Sequence, residues 1–405
     1  CLPRPMVAHR PVQRARRLRW CGRSARCEHA SRRTVTTSVR ALPLRRTARH
    51  RRRLLDAAHD AGGRRRCLRG AIAGCGFFGQ IHLEGWRRIP EAAIVAACDT
   101  DLAKAQSAAP QAFDDLERML DIVKPDFLDI ATRPELHLPM LRIAAARGLP
   151  VICQKPMAPS WEDCLEMVRV ADAAGIPFMI HENWRWQPWY RVIAAEMAAG
   201  SLGAPVTYTF RTRKRDGAGP EPYTLQPYFR NMPRLLLFET LVHHIDTARF
   251  LFGELITLYT HFRRVNPNIQ GEDQVLMIAT HQSGLSGVID GNRFLDLSPD
   301  SPPLGDGFFE FENGALRLAP TGDILRVTPT GDQLLWKNDV TSGYRGDSVR
   351  ATSQHFVRAL AAGQPFETTG RNYLITVAAV EAGYRSHAAG AAVRVPTLAE
   401  LEKEL

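Results

Sequence analysis

The chain has no run of eighteen consecutive apolar residues among its 405, and a helix needs about that length to cross a bilayer. No membrane partner is expected from it. It also lacks the apolar h-region of a secretory leader. Its eight cysteines show no metal-ligand spacing. Cys1, Cys21, Cys27 and Cys67 fall in the first 69 residues, and Cys75, Cys98, Cys153 and Cys164 are scattered through the rest. A cysteine-ligated metal and a disulfide framework are thereby excluded, and a reduced, cytoplasmic-type protein without a metal is expected.

Lysine is absent from residues 1–69, where 21 arginines face only Glu28, Asp56 and Asp60. That segment carries +18 and the remainder −7, so the formal charge of +11 describes one end only. Residues 1–67 show no apolar period and are expected to form a disordered Arg-rich extension. Three origins are open to it: an organellar transit peptide, a nucleic-acid-binding arm, or upstream sequence foreign to the natural protein. The start at Cys1 and the exclusive use of Arg favour the last. The acidic body argues against a nucleic-acid partner.

From Leu68 onward, short apolar strands alternate with amphipathic helices. Strands are expected at Ala71–Ala73, Ala93–Cys98, Phe127–Ala131, Val151–Gln154 and Phe178–Ile180, with helices near Gly79–Arg88, Asp101–Ser107, Asp114–Val123, Glu135–Arg147 and Trp161–Ala174. Such alternation predicts a doubly wound parallel sheet, an α/β Rossmann-type domain over residues 68–187. After Pro188 the rhythm changes. Val206–Thr212, Leu255–Arg263, Gln274–Thr280, Gly287–Gly291 and Phe308–Phe311 read as strands, and Glu239–Phe252, Ser348–Ala361 and Asn372–His387 as helices. An α+β domain over residues 188–405, with a large open, mostly antiparallel sheet, is expected.

Gly74-Cys75-Gly76-Phe77-Phe78-Gly79 lies between the first strand and its helix. There the first glycine permits a tight turn, the second lets a pyrophosphate approach, and the third lets helix and strand pack closely. Asp99 closes the second strand, where a carboxylate accepts both ribose hydroxyls. No arginine follows at once to receive a 2′-phosphate, so NAD is expected before NADP. Thr132, Arg133 and His137 follow the next strand of the core and are candidates to touch the cofactor, although a histidine at a helix start is often structural.

Lys155 ends the strand Val151–Gln154 and precedes Pro156. A cation there points at the crevice where open α/β sheets bind ligands and would favour an alkoxide as hydride leaves; a lysine snorkelling to solvent is the plainer alternative. Glu239, His243 and Asp246 are spaced to share one helical face, with His244 beside them, and a carboxylate one turn from an imidazole fixes its tautomer and raises its basicity. A surface ion-pair ladder would have the same spacing. Asn183, Arg185 and Trp186 lie in the aromatic run His181–Tyr190, whose mixed apolar and polar character suits a polyhydroxylated ligand. Interdomain packing is equally open for Trp184 and Trp189.

In this order, the glycine turn, Asp99, Arg133-Pro134 with His137, Lys155-Pro156, Glu182-Asn183 and the His243 helix resemble the glucose–fructose oxidoreductase/inositol 2-dehydrogenase (Gfo/Idh/MocA) family over roughly Leu68–Leu405. The segments His181–Tyr190, Pro227–Arg230 and Met232–Arg234 resemble its branch of D-apiose dehydrogenases. The resemblance implies an NAD-dependent dehydrogenase oxidising a hydroxyl of a sugar, sugar lactol or polyol. It also implies a second-domain sheet that forms a homo-oligomer, dimer or tetramer. Lys155 and His243 carry the family's roles at the substrate, with Gln154 and Lys155 also near the cofactor. Gln154 stands where the family has Glu, and Glu239 where it has Asp. The partner of His243 is thus Glu239, Asp246 or neither. An NAD-dependent glycoside hydrolase on the same fold and a non-catalytic NAD-binding sensor are the rival readings.

Overall fold

The computed structural model describes residues 67–297 and 304–405; the expectation of a disordered extension falls outside them, apart from Cys67. The chain runs β1 (Leu68–Ala73), α1 (Phe77–Arg87), β2 (Ala92–Cys98), α2 (Leu102–Ala108), β3 (Gln111–Phe113), α3 (Leu116–Val123), β4 (Phe127–Ile130), α4 (His137–Ala146), β5 (Val151–Gln154), α5 (Trp161–Ala174) and β6 (Phe178–His181). All six strands pair in parallel in the order β3-β2-β1-β4-β5-β6. Because β4, β5 and β6 are buried along their whole length, they are apolar but for one residue each, Asp129, Gln154 and His181, rather than alternating. The order reverses between β1 and β4, and at that switch point such sheets open a ligand crevice.

Helix ends follow local chemistry. Ser160 caps α5 by accepting from Asp163 N, with Glu162 and Asp163 in the first turn, and Gly175 closes it in the left-handed region at φ 65°. The helix α1 is different. Its N-cap is Gly76, no side chain caps it, and no acid lies in its first turn, which leaves amide donors facing the crevice.

The second half runs α6 (Pro188–Ala199), β7 (Pro205–Arg213), α7 (Val242–Phe252), β8 (Leu255–Arg263), β9 (Gln274–His281), β10 (Ser286–Asn292), β11 (Gly305–Phe311), β12 (Gly314–Leu318), β13 (Ile324–Thr328), β14 (Gly331–Trp336), α8 (Ser348–Ala362), α9 (Gly370–Ala389), β15 (Val393–Arg394) and α10 (Leu398–Leu401). Its nine strands are ordered β14-β13-β12-β11-β7-β10-β9-β8-β15. Among the described residues of this sheet, only β7 and β10 pair in parallel. One face of β8 and β9 is buried, and the other presents Tyr259, Leu276 and Ile278 to solvent.

Two differences from the sequence reading bear on function. A π-helical segment, Leu236–Leu241, precedes α7, so the expected α-helix from Glu239 begins only at Val242. The helix α6 and the strands β12–β14 had no counterpart among the expected elements. Moreover, α8 returns to the first sheet: Phe356, fully buried, packs with Trp86 and Phe127, a contact worth roughly 1.5–3 kcal/mol of apolar burial. Thr368 Oγ1 donates to Ile180 O at 2.6 Å beside it.

Candidate active site

Gly74 adopts φ 97°, and a Cβ there would lie 2.6 Å from Ala131 O. A Cβ on Gly79 would lie 2.1 Å from Gly74 O, whereas one on Gly76 would meet nothing within 4 Å. The first and third glycines are thus demanded by the fold, and the second leaves open space before the uncapped amides of α1. Asp99 Oδ2 accepts from Cys75 N at 2.7 Å and Oδ1 from Asp101 N at 2.9 Å, which ties the end of β2 to the glycine turn. Phe77 is exposed at the mouth of the turn, while Phe78 packs edge-on to His82 and Tyr344. An open cradle, orphan amides and a strand-end carboxylate fit a dinucleotide.

Thr132 follows β4, with its hydroxyl on Met140 Sδ at 3.7 Å, and Arg133 is exposed. His137 departs from the expected cofactor contact. It is fully buried, and its Nδ1 and Nε2 face Met157 O at 3.0 Å and Thr132 O at 3.1 Å. It sits between two loops, where a neutral ring donates its one N–H to one of these carbonyls. Burial lowers its pKa, against those carbonyls.

Lys155 is not snorkelling. Only 8% exposed, its Nζ donates to Glu239 O at 2.8 Å and Glu239 Oε1 at 2.6 Å. Burial opposes ionisation of Glu239, but Lys155, then Arg293 and the hydrogen bonds from Lys155 and Thr240, hold its carboxyl down at about 2. The i→i+5 turn carrying Glu239 adds a residue relative to α-helical spacing, so Glu239 serves Lys155 rather than His243.

The partner of His243 is neither Glu239 nor Asp246. It is Glu182, whose Oε1 accepts from His243 Nδ1 at 2.5 Å and from Trp184 N at 3.0 Å, while its Oε2 accepts from the Tyr373 hydroxyl at 2.9 Å. Trp184 stacks on the His243 ring at 4.4 Å. Burial, then the Lys155 cation, holds the His243 pKa well below its usual value, so the ring is neutral at physiological pH. Burial raises that of Glu182.

Lys155, Glu239 and His243 line one cavity with Phe78, Trp184, Asp216, Gln226, Phe229, Thr240, Arg293, Tyr344 and Arg345. Asn183, Arg185, Trp186, His244 and Asp246, the expected substrate contacts, are absent from that wall. Asn183 Nδ2 donates to Ser348 Oγ at 2.8 Å. Arg185 and Asp246 form a buried bidentate pair at 2.7 and 2.8 Å. Trp186 stacks under the Arg191 guanidinium, and His244 is buried with Thr212 Oγ1 at 3.5 Å. Asn183 and Arg185 thus fasten the segment after β6 to α8 and α7. A cavity of about 480 Å³ lies elsewhere, lined by residues of α5, α8 and α9, and holds none of the expected residues.

Gln154, expected near the cofactor, is 4% exposed. Its Oε1 accepts from Lys155 N at 2.6 Å and its Nε2 meets His82 Nε2 at 2.8 Å. His82 Nδ1 in turn faces Asp129 Oδ2 at 2.8 Å. Glu182, Asp216, Arg293 and His82 had no site role in the sequence reading. For Glu182 a signal existed: Gln154 and His181 are register partners on adjoining parallel strands, so the next residues, Lys155 and Glu182, emerge side by side.

Residues 68–182 match the oxidoreductase family with an NAD-binding Rossmann fold, and residues 190–300 match the GFO/IDH/MocA C-terminal domain. The chain belongs to the GFO/IDH/MocA oxidoreductase family. Its first sheet is an NAD-binding Rossmann domain, and the protein is an NAD-dependent dehydrogenase of CH–OH groups. It is 33% identical over 343 residues to a D-apiose dehydrogenase of Rhizobium rhizogenes, covering 81% of this chain and 97% of the relative. It is 34% identical over 349 residues to a D-apiose dehydrogenase of Paraburkholderia graminis, covering 82% and 90%. Among solved structures, an oxidoreductase from Agrobacterium radiobacter in complex with NAD+, L-tartaric acid and magnesium is 31% identical, with a TM-score of 0.75 over 81% of this chain and 98% of that one. Among the described residues no helix is long and apolar enough to cross a membrane, and no group of three or more His, Cys, Asp or Glu is placed to hold a metal ion.

Proposed function

We propose that the protein oxidises a hydroxyl of a neutral sugar, lactol or polyol, with D-apiose as the first candidate, and that Lys155 and His243 act on that hydroxyl. The reading is carried by one observation: a neutral imidazole and a lysine ammonium line one cavity, each oriented by its own buried carboxylate. Two D-apiose dehydrogenases among the relatives support the substrate.

Residues 74–79 and Asp99 would hold NAD, which when bound supplies the hydride acceptor. Because Nδ1–H of His243 donates to Glu182, the lone pair of Nε2 is available to take the hydroxyl proton. The imidazolium so formed is stabilised by the Glu182 carboxylate. Lys155 spends two of its three donors on Glu239, so the third is free for the substrate oxygen, where a positive charge favours the developing alkoxide. Trp184, stacked on the imidazole, excludes water from one face.

The same reading assigns residues 68–187 to cofactor binding and residues 188–405 to substrate binding and assembly. The exposed sheet face with Tyr259, Leu276 and Ile278 would be covered by a second copy; light scattering on Ile278→Lys should then show a smaller particle than the unaltered chain.

The test is NADH formation with NAD and a panel of apiose, pentoses, hexoses and polyols. Turnover of apiose or another member supports the reading; release of sugar from a glycoside without net NADH would replace it with the hydrolase reading.

A further inference from the structure

Arg293 follows β10 and is 4% exposed, yet it faces the cavity of Lys155 and His243. Its Nε and Asp216 Oδ1 form an ion pair at 3.4 Å, and both atoms are buried without a hydrogen bond among the described residues. The pair is built into the fold: Gly217 N donates to Arg293 O at 3.1 Å, Tyr223 N donates to Asp216 O at 2.7 Å, and the guanidinium lies 5.6 Å from the Tyr223 ring centroid. A Cβ on Gly217 would lie 2.5 Å from Arg293 Cβ, so only glycine allows this approach.

Buried polar atoms left without partners are costly, and folded proteins keep few of them. These two atoms face each other, and the remaining polar atoms of the same two cavity-lining side chains are the ones left to meet a ligand. The charge arrangement selects the ligand. Arg293 is offset by Asp216 and Lys155 by Glu239, so an anionic group would meet two carboxylates. Neutral hydroxyls satisfy both members of the pair, their oxygens accepting from the guanidinium and their protons going to the carboxylate. We infer that Asp216 and Arg293 form the subsite for a neutral vicinal diol of the substrate, apart from the hydroxyl oxidised at Lys155 and His243. The inference rests on the dehydrogenase reading above. A third cation, Arg345, reaches the same cavity with Nε on the Tyr344 hydroxyl at 3.2 Å, which makes a sugar acid the competing ligand.

The test measures kcat and KM for neutral sugars and polyols, for analogues lacking one hydroxyl of the diol, and for the matching sugar acids. It compares the unaltered protein with Asp216→Asn and Arg293→Lys, using NADH affinity to verify folding. The unaltered protein should favour the intact diol over its deoxy analogue by about a hundredfold in kcat/KM. In either variant that ratio should shrink to about threefold through a higher KM for the diol, with kcat altered by less than about threefold. Asp216 is partly exposed, so its variant keeps the test open if Arg293→Lys fails to fold. An undiminished ratio in a folded variant overturns the subsite alone. Turnover confined to sugar acids overturns it in favour of an anion site. An unaltered protein that binds NADH but oxidises no member of the panel overturns the dehydrogenase reading and the subsite with it.

Discussion

Glu182 Oε1 and His243 Nδ1 meet at 2.5 Å across the junction of the two halves, one following β6 and the other on α7. Replacing Glu182 by Gln keeps the shape but removes the charge that stabilises the imidazolium. Turnover should fall by about 10²–10⁴, with NADH affinity unchanged within a few-fold. Steady-state rates and cofactor titration check this; equal turnover in the variant would remove Glu182 from the proposed mechanism.

Lys155→Ala should lower turnover by about a hundredfold or more while leaving NAD affinity within a few-fold. Glu239→Gln should lower it less, because the Glu239 carbonyl still holds the ammonium. If the two variants behave alike, the carboxylate is doing more than orienting the lysine.

Gln154 fixes a proton. Its Oε1 accepts from Lys155 N, so its amide donates to His82 Nε2, and the His82 proton sits on Nδ1 toward Asp129. In Gln154→Glu, a carboxylate would face the His82 Nε2 lone pair, and that contact survives only while a proton bridges the two, with the His181 ring 4.1 Å away. That variant should remain active at neutral pH and acquire an alkaline fall in kcat that the unaltered protein lacks. Overlaying pH–rate profiles would show that the side chain does not influence Lys155.

Acid stability should reflect the buried imidazoles. Burial lowers the pKa values of His137, His181, His243 and His244. Below the unfolded value of about 6.5 the unfolded chain binds protons that the folded chain refuses, so stability falls as pH drops through that range. Glu239 adds a second loss lower down, as pH falls from the usual carboxylate range through about 2. Urea unfolding at stepped pH should show stability declining from about pH 6.5 with a slope exceeding one proton; constant stability down to pH 5 would contradict the neutral assignment of these rings.

Much of this was legible in the sequence. The glycine turn, the closing Asp99 and the strand-end Lys155 are local features, and the alternation from Leu68 onward specified the first sheet. The partner of His243 was missed, because helical spacing pointed to Glu239 and Asp246; a π turn defeats the first spacing, and the second carboxylate is held by Arg185. The aromatic run after β6 looked like a sugar platform, but its polar residues answer to α7 and α8, contacts made at separations of 61 and 165 residues. Asp216 and Arg293 carry no motif at all. They meet only because the backbones of Gly217 and Arg293 touch.

The return of α8 has a bearing on synthesis. The hydrophobic side of the cofactor domain formed by Trp86 and Phe127 is sealed by Phe356, and β6 gains its last main-chain partner from Thr368. Every strand of that domain has been translated by residue 181, well before its seal exists. A nascent chain halted between the two points exposes an aromatic surface, and there a chaperone would be needed most.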